Sequence, residues 1–152
     1  MRTVRECRAV IKSRIENLGA AGLPEGDVER SESRVLGFYH YDSEGDILLT
    51  YCEESESGRA DGEILVSGSE VRVRRTGAYE SDFSFKEGVL HRSLYKVNPY
   101  SFDVEIFPKR VRVSLSENGG GIDLFYNMKI GGADKAVRMK IEISSVSSEA
   151  SA

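Results

Sequence analysis

From residue 122 to residue 143 the chain keeps a two-residue rhythm, interrupted once by glycines. Ile122, Leu124, Tyr126, Met128 and Ile130 share one parity, and Asp123, Asn127 and Lys129 share the other. Val137, Met139, Ile141 and Ile143 then alternate with Arg138, Lys140, Glu142 and Ser144. Successive side chains of a strand point to opposite faces, so such runs bury one face and wet the other, whereas on a 3.6-residue helix the same alternation would scatter its apolar residues around the axis. Gly131-Gly132-Ala133-Asp134 supplies the turn between them, and the pattern predicts an antiparallel pair of strands.

The same punctuation recurs upstream. A strand runs toward Val35 and through Phe38-Tyr39-His40-Tyr41, followed by turn residues Ser43-Glu44-Gly45-Asp46. Ile47, Leu49 and Tyr51 share a face, Ser55-Glu56-Ser57-Gly58 breaks the run, and Ser67-Gly68-Ser69-Glu70 reads as a tight hairpin between Glu63-Ile64-Leu65-Val66 and Val71-Arg72-Val73-Arg74-Arg75. Tyr79, Ser81, Phe83 and Phe85 continue the alternation, and Lys86-Glu87-Gly88 turns into a strand that ends near Tyr95 and Asn98-Pro99. Phe102, Val104 and Ile106 predict one further strand and Val111, Val113 and Leu115 another. About ten short strands with short connections are the mark of an all-β barrel or sandwich rather than a crossover fold.

The first eighteen residues are ambiguous. Val4, Cys7, Ile11, Ile15 and Leu18 recur at helical spacing with Gly19 placed like a C-cap, yet Cys7, Ala9, Ile11, Ser13 and Ile15 also share a strand face, and propensity and spacing slightly favour the helix. Residues 19–26 read as a flexible connection, and the Ser- and Ala-rich tail over 146–152 as frayed. With 152 residues, the chain is the size of one domain, 1–152, with its core at about 4–145.

Composition narrows the function classes. A net charge of −4 argues against a nucleic-acid binder with a general electrostatic footprint, so no nucleic acid is expected as a partner. No apolar run approaches membrane-spanning length and charges occupy the first residues, so neither a membrane nor a secretory route is expected and the expected location is cytoplasmic. Cys7 and Cys52 are too few for a disulfide scaffold and read as free thiols.

A family resemblance points the same way. Gly37-Phe38-Tyr39, Tyr51-Cys52-Glu53-Glu54 with Gly58, Arg75-Thr76-Gly77, Phe83-Ser84-Phe85-Lys86-Glu87-Gly88, Tyr95 with Asn98-Pro99-Tyr100, and Gly121-Ile122-Asp123-Leu124-Phe125-Tyr126 stand in one order. That layout, over roughly three quarters of the chain, resembles the YwiB-like family, a bacterial domain of unknown function with calycin-like β-barrels. The chain departs from it at Ser101, where a glycine commonly follows the Pro-Tyr pair, and in its longer connection near residue 20. The resemblance implies that the N-terminal segment is a strand, and that the fold is a single antiparallel calycin- or lipocalin-like barrel of about eight to ten strands. It brings no catalytic residue and no cofactor.

Parity singles out one constellation. Glu53 continues the face of Ile47, Leu49 and Tyr51, and Arg75 that of Val71 and Val73. If those faces point inward, an acid and a base end two apolar rows, and charges facing a barrel interior need partners or a ligand to offset lost hydration. Glu53, Arg75, Tyr51, Tyr95 and Tyr126 are therefore the candidate ligand-binding residues, and a purely structural ion pair at the barrel rim is the competing reading. His40 and His91 lack neighbours at metal-ligand spacing, and Asp42, Glu44 and Asp46 read as a solvated turn rather than a calcium loop. No metal, cofactor or catalytic residue is expected, since no nucleophile elbow, phosphate loop or dinucleotide fingerprint occurs. Arg72 and Arg74, Arg110 and Arg112, and Arg138 and Lys140 occupy the outward parity, either as a basic stripe or as charges paired with acids such as Asp103 and Glu105.

The expected function is that of a small β-barrel protein binding a small, mainly apolar molecule without catalysis. The alternative is an interaction module using the outer surface or a sheet edge, and an enzyme of unknown reaction is the third. Oligomeric state is left open.

Overall fold

The structure is a computed structural model in which residues 2–19, 24–55 and 58–146 are described. Ten antiparallel strands form one continuous sheet. They are β1 (Arg2–Leu18), β2 (Pro24–Asp42), β3 (Ile47–Ser55), β4 (Gly58–Ser67), β5 (Glu70–Gly77), β6 (Ser81–Phe85), β7 (His91–Val97), β8 (Tyr100–Ser116), β9 (Gly119–Ile130) and β10 (Ala133–Ser145). Their spatial order is β6-β5-β4-β3-β2-β1-β10-β9-β8-β7, so chain neighbours are mostly sheet neighbours and β1 pairs with β10 at the middle of the order.

Several strands are long rather than short, with β2 at 19 residues and β1 and β8 at 17. Residues 24–26, expected in a connection, lie in β2, where Pro24 pairs with Leu18. The remainder of that expected connection, 20–23, and the tail from 147 onward fall outside the described residues. At the start of the tail, Val146 still donates its N–H to the Glu6 carbonyl at 3.1 Å.

The ambiguity at the N-terminus resolves as a strand. Cys7 and Ala9 are buried while Val4, which a helical stripe would have buried, is 51% exposed. Adjacency to β2 and β10 decides the matter, because both edges of β1 are filled with ladder hydrogen bonds. The two strands expected around residues 102–106 and 111–115 are one, β8. Its ladder with β9 shifts register between Pro108 and Arg110, and this bulge holds a proline, which has no N–H to give.

Inward positions of all ten strands converge on one core. Leu49, Ile64, Val71, Phe85, Ile106, Ile122 and Ile141 are fully enclosed at its centre. One end is plugged: the Tyr39 hydroxyl crosses the interior to donate to the Ser116 carbonyl at 2.6 Å. Burial pushes the Tyr39 hydroxyl up to about 12 and the Cys7 thiol up to about 11.

The last two strands in the order, β6 and β7, close the barrel without a regular ladder. One backbone bridge joins Glu80 and Lys96, with both N–H···O bonds at 2.9 Å. Beyond it, side chains replace the backbone. His91 Nε2 donates to the Asp82 carbonyl at 3.0 Å, and the Ser93 hydroxyl donates to the same oxygen at 2.9 Å. The Asp82 carboxylate in turn takes Arg72 of β5 in a two-point grip at 2.8 and 2.6 Å, and its hydrogen bond with Arg72 holds the carboxyl below its ordinary range.

This seam is expected to be the first part of the barrel to open. His91→Ala with Ser93→Ala should cost about 1–3 kcal/mol in denaturant unfolding and accelerate amide exchange in β6 well before β9. Uniform acceleration across both strands would contradict a locally weak seam.

Candidate functional site

The plugged end of the barrel has a counterpart. At the other end, inward residues of β1, β2, β3, β5, β6, β7, β9 and β10 surround a cavity of about 320 Å³. Its apolar wall includes Ile11, Phe83, Tyr95, Met128, Ile130 and Met139. Space remains because Ser13, Ser31, Ser33 and Ser81 occupy inward positions that elsewhere hold larger apolar groups. Ser13 and Ser31 face one another across β1 and β2, their hydroxyls 2.6 Å apart.

The charged residues singled out by parity meet here. Arg75 Nε donates to Glu53 Oε1 at 3.2 Å, and each side chain is only 16% exposed. β4 lies between the two strands: Glu53 pairs with Ala60 and Arg75 with Gly62. Small residues at Ala60 and Gly62 let the long side chains of β3 and β5 reach across. Tyr51 uses the same gap, its ring lying over Gly62, where an added Cβ would stand 2.3 Å from the ring.

Tyr51 is buried, and its hydroxyl sits beside the Arg75 guanidinium without a hydrogen-bond partner among the described residues. Burial raises the Tyr51 hydroxyl above its ordinary range against the pull of Arg75. Burial likewise raises Tyr79, which lines the cavity beside the ion pair. Arg75 itself is desolvated, but Tyr51, Glu53 and Tyr79 more than offset that and hold its guanidinium above the usual range. The site thus maintains a protonated arginine among aromatic rings, with a single side-chain hydrogen bond, to Glu53, among the described residues.

Of the five candidate residues, Glu53, Arg75 and Tyr95 line the cavity, whereas Tyr51 and Tyr126 lie deeper in the wall. Tyr126 packs tilted against Phe85 with ring centroids 4.7 Å apart, and burial raises its hydroxyl far above the ordinary range. Tyr95 stands edge-on to Tyr79 at 6.1 Å and stacks on Phe102 at 6.5 Å. Tyr79 and the four serines were not among the candidates. The serines left a signal in the sequence, since Ser13 interrupts the apolar face of Cys7, Ala9 and Ile11.

Among the described residues, no group of three or more His, Cys, Asp or Glu side chains is arranged to hold a metal ion. His91 serves the β6–β7 seam, and Asp42 uses its carboxylate to accept the N–H groups of Glu44 and Asp46 at 2.8 and 3.0 Å, which shapes the β2–β3 turn. Cys7 points into the core while Cys52, on the opposite parity of β3, does not, so the two free thiols lie on opposite faces of the sheet.

Comparison with known proteins places the barrel. Residues 21–143 match the family described as "Domain of unknown function (DUF1934)". The chain belongs to this family. It is 31% identical over 107 residues to the uncharacterized β-barrel protein YwiB of Bacillus subtilis (strain 168), covering 70% of this chain and 75% of that one. The crystal structure of the B. subtilis ywiB protein superposes with a TM-score of 0.81 at 26% identity, covering 95% of this chain and 94% of the other. DUF1934 membership therefore agrees with the resemblance read from the sequence, and with its barrel. Among the described residues no helix is long and apolar enough to cross a membrane.

The ion pair can be tested without any ligand. Arg75→Met alone leaves the Glu53 carboxylate buried and uncompensated, which should cost about 3 kcal/mol, whereas Arg75→Met combined with Glu53→Gln should cost clearly less than that single change. A double variant as unstable as the sum of the two single ones would show that the charges do not depend on one another.

Proposed function

We propose that this DUF1934 barrel binds a small, mainly apolar molecule in its open end, without catalysis. The observation that carries the reading is the cavity of about 320 Å³, walled by aliphatic and aromatic side chains and provided with one charged pair at its edge. Small-molecule sites combine a concave apolar lining with a few placed polar groups in this way, and barrels of comparable strand number hold one ligand in their mouths. The calycin-type likeness, read here as an analogy of architecture, points in the same direction.

The polar edge narrows the chemistry. A guanidinium carries five N–H donors, and Arg75 commits one of them to Glu53. A ligand with an apolar body and a carbonyl or carboxylate head would place that head against Arg75 and its body against Met128, Ile130 and Met139. Cytoplasmic residence belongs to this reading, supported by a cysteine count of two, too few for a disulfide scaffold.

Native mass spectrometry of freshly purified protein tests the proposal. The expected result is a reproducible adduct that disappears on denaturation and is absent from a folded Ser33→Phe variant, whose ring fills the cavity. Wild-type protein without adduct, and without saturable binding of an apolar fluorescent carboxylate, would exclude it.

A further inference from the structure

The outward face of the long strands carries a second feature, on the far side of the sheet from the cavity. Two rows of side chains run across β2, β1, β10, β9 and β8. In one row Arg30 opposes Arg14, Arg14 opposes Arg138, and Phe125 lies between Arg138 and Arg110. In the next, Glu32 opposes Lys12, Lys12 opposes Lys140, and Asp123 lies between Lys140 and Arg112. Together they line a groove of about 590 Å³, in which seven cationic side chains face two carboxylates. Strand spacing makes the rows about 19 Å long.

This is not the usual way a wet sheet face is kept soluble. Like charges directly opposite one another destabilise a strand pair, and here Arg14–Arg30, Arg14–Arg138 and Lys12–Lys140 are such pairs. Elsewhere on the barrel several outward arginines are matched: Arg72 to Asp82 at 2.6 Å, Arg74 to Glu63 at 3.6 Å, and Arg92 to Glu105 at 3.3 Å. In the groove, Arg14 is paired with Glu16 and Lys12 with Glu142, while Arg30, Arg110, Arg112, Arg138 and Lys140 have no carboxylate partner among the described residues. Of the two acids lining it, Glu32 is engaged by Arg34, outside the groove, at 2.8 Å.

An aromatic ring sits in the middle of this charge. The Arg138 guanidinium lies over the Phe125 ring at 4.2 Å from its centroid. The β8 bulge adds a further cation, since Lys109, the residue that the register shift leaves unpaired, stands 5.8 Å from the same centroid. Unmatched arginines that grip phosphate through planar donors, arranged around a stacked guanidinium and ring, are the elements with which proteins hold single-stranded nucleic acid.

We infer that this groove binds a short stretch of single-stranded RNA through its phosphates, with a base stacking on the Arg138–Phe125 platform. The net charge of −4 does not oppose this locally, because the excess of acid lies elsewhere on the surface. A length of about 19 Å suits a site of a few nucleotides. The site is independent of the interior cavity, so either could fail without the other.

Fluorescence anisotropy with a labelled twelve-nucleotide oligouridylate, titrated with the full chain at several salt concentrations, tests the inference. Binding is expected, weakening steeply with salt. Arg110→Gln with Arg112→Gln should lower affinity at least tenfold and flatten the log–log salt slope by about 1.4, for two lost phosphate contacts. Arg72→Gln with Arg74→Gln removes the same charge from matched positions and should change affinity less than about twofold. Equal losses from both pairs, absence of binding at low salt, or tighter binding of a labelled polyglutamate peptide than of the oligonucleotide would each overturn it.

Discussion

Closure of the sheet between β6 and β7 is the constraint on which the rest of the molecule depends. Nine of the ten strand junctions are made by backbone ladders, which any alternating sequence can form, but the tenth rests on one Glu80–Lys96 bridge and two side chains. His91 and Ser93 both donate to a single carbonyl, that of Asp82, whose carboxylate is held from the other side by Arg72. Without this closure there would be no shared interior, and Arg75 and Glu53 would be ordinary solvated charges. With it, they lie on the inside of a tube whose other end Tyr39 closes.

Much of this architecture was legible because the two-residue period carries it. The parity that places Ile122, Leu124 and Tyr126 together also places Met128 and Ile130 against the cavity, and the parity of Val71 and Val73 carries Arg75 inside. The Glu53–Arg75 pair was legible for the same reason, since both ends of the pair extend apolar rows. Period alone could not show that β4 separates the two strands and that Ala60 and Gly62 allow the pair to meet across it. It also split β8 in two at Pro108, because a proline in a strand reads as a break unless the register shift opposite it is known.

The segment from residue 2 to residue 18 shows how context overrides local spacing. Its apolar residues satisfy helical and strand periods alike, and the choice is made by what lies on either side, β2 and β10, which are distant in sequence. Outward charges carry a related lesson. Arg72 and Arg74 look the same in sequence as Arg110 and Arg112, but the first pair is held in ion pairs with Asp82 and Glu63, whereas Arg110 lies opposite Phe125 and Arg112 lies opposite an aspartate, Asp123, that Lys140 also opposes. Cross-strand register, which no single run encodes, is what separates a neutralised row from an unmatched one.

The two faces of the sheet thus have different economies. Inside, volume is set aside by serines where the pattern calls for larger groups, and one desolvated ion pair is held at the edge of that volume. Outside, charge accumulates on one face of an otherwise acidic protein. The central claim concerns the interior, and the methionines report on it directly: of the three in the chain, Met128 and Met139 line the cavity. Carbon-13 methyl spectra of methionine-labelled protein, recorded while a medium-chain fatty acid is added, should show the Met128 and Met139 signals moving together to saturation while that of Met1 stays in place. Signals of Met128 and Met139 that do not respond, or that move only as Met1 does, would mean that the open end of the barrel admits no ligand.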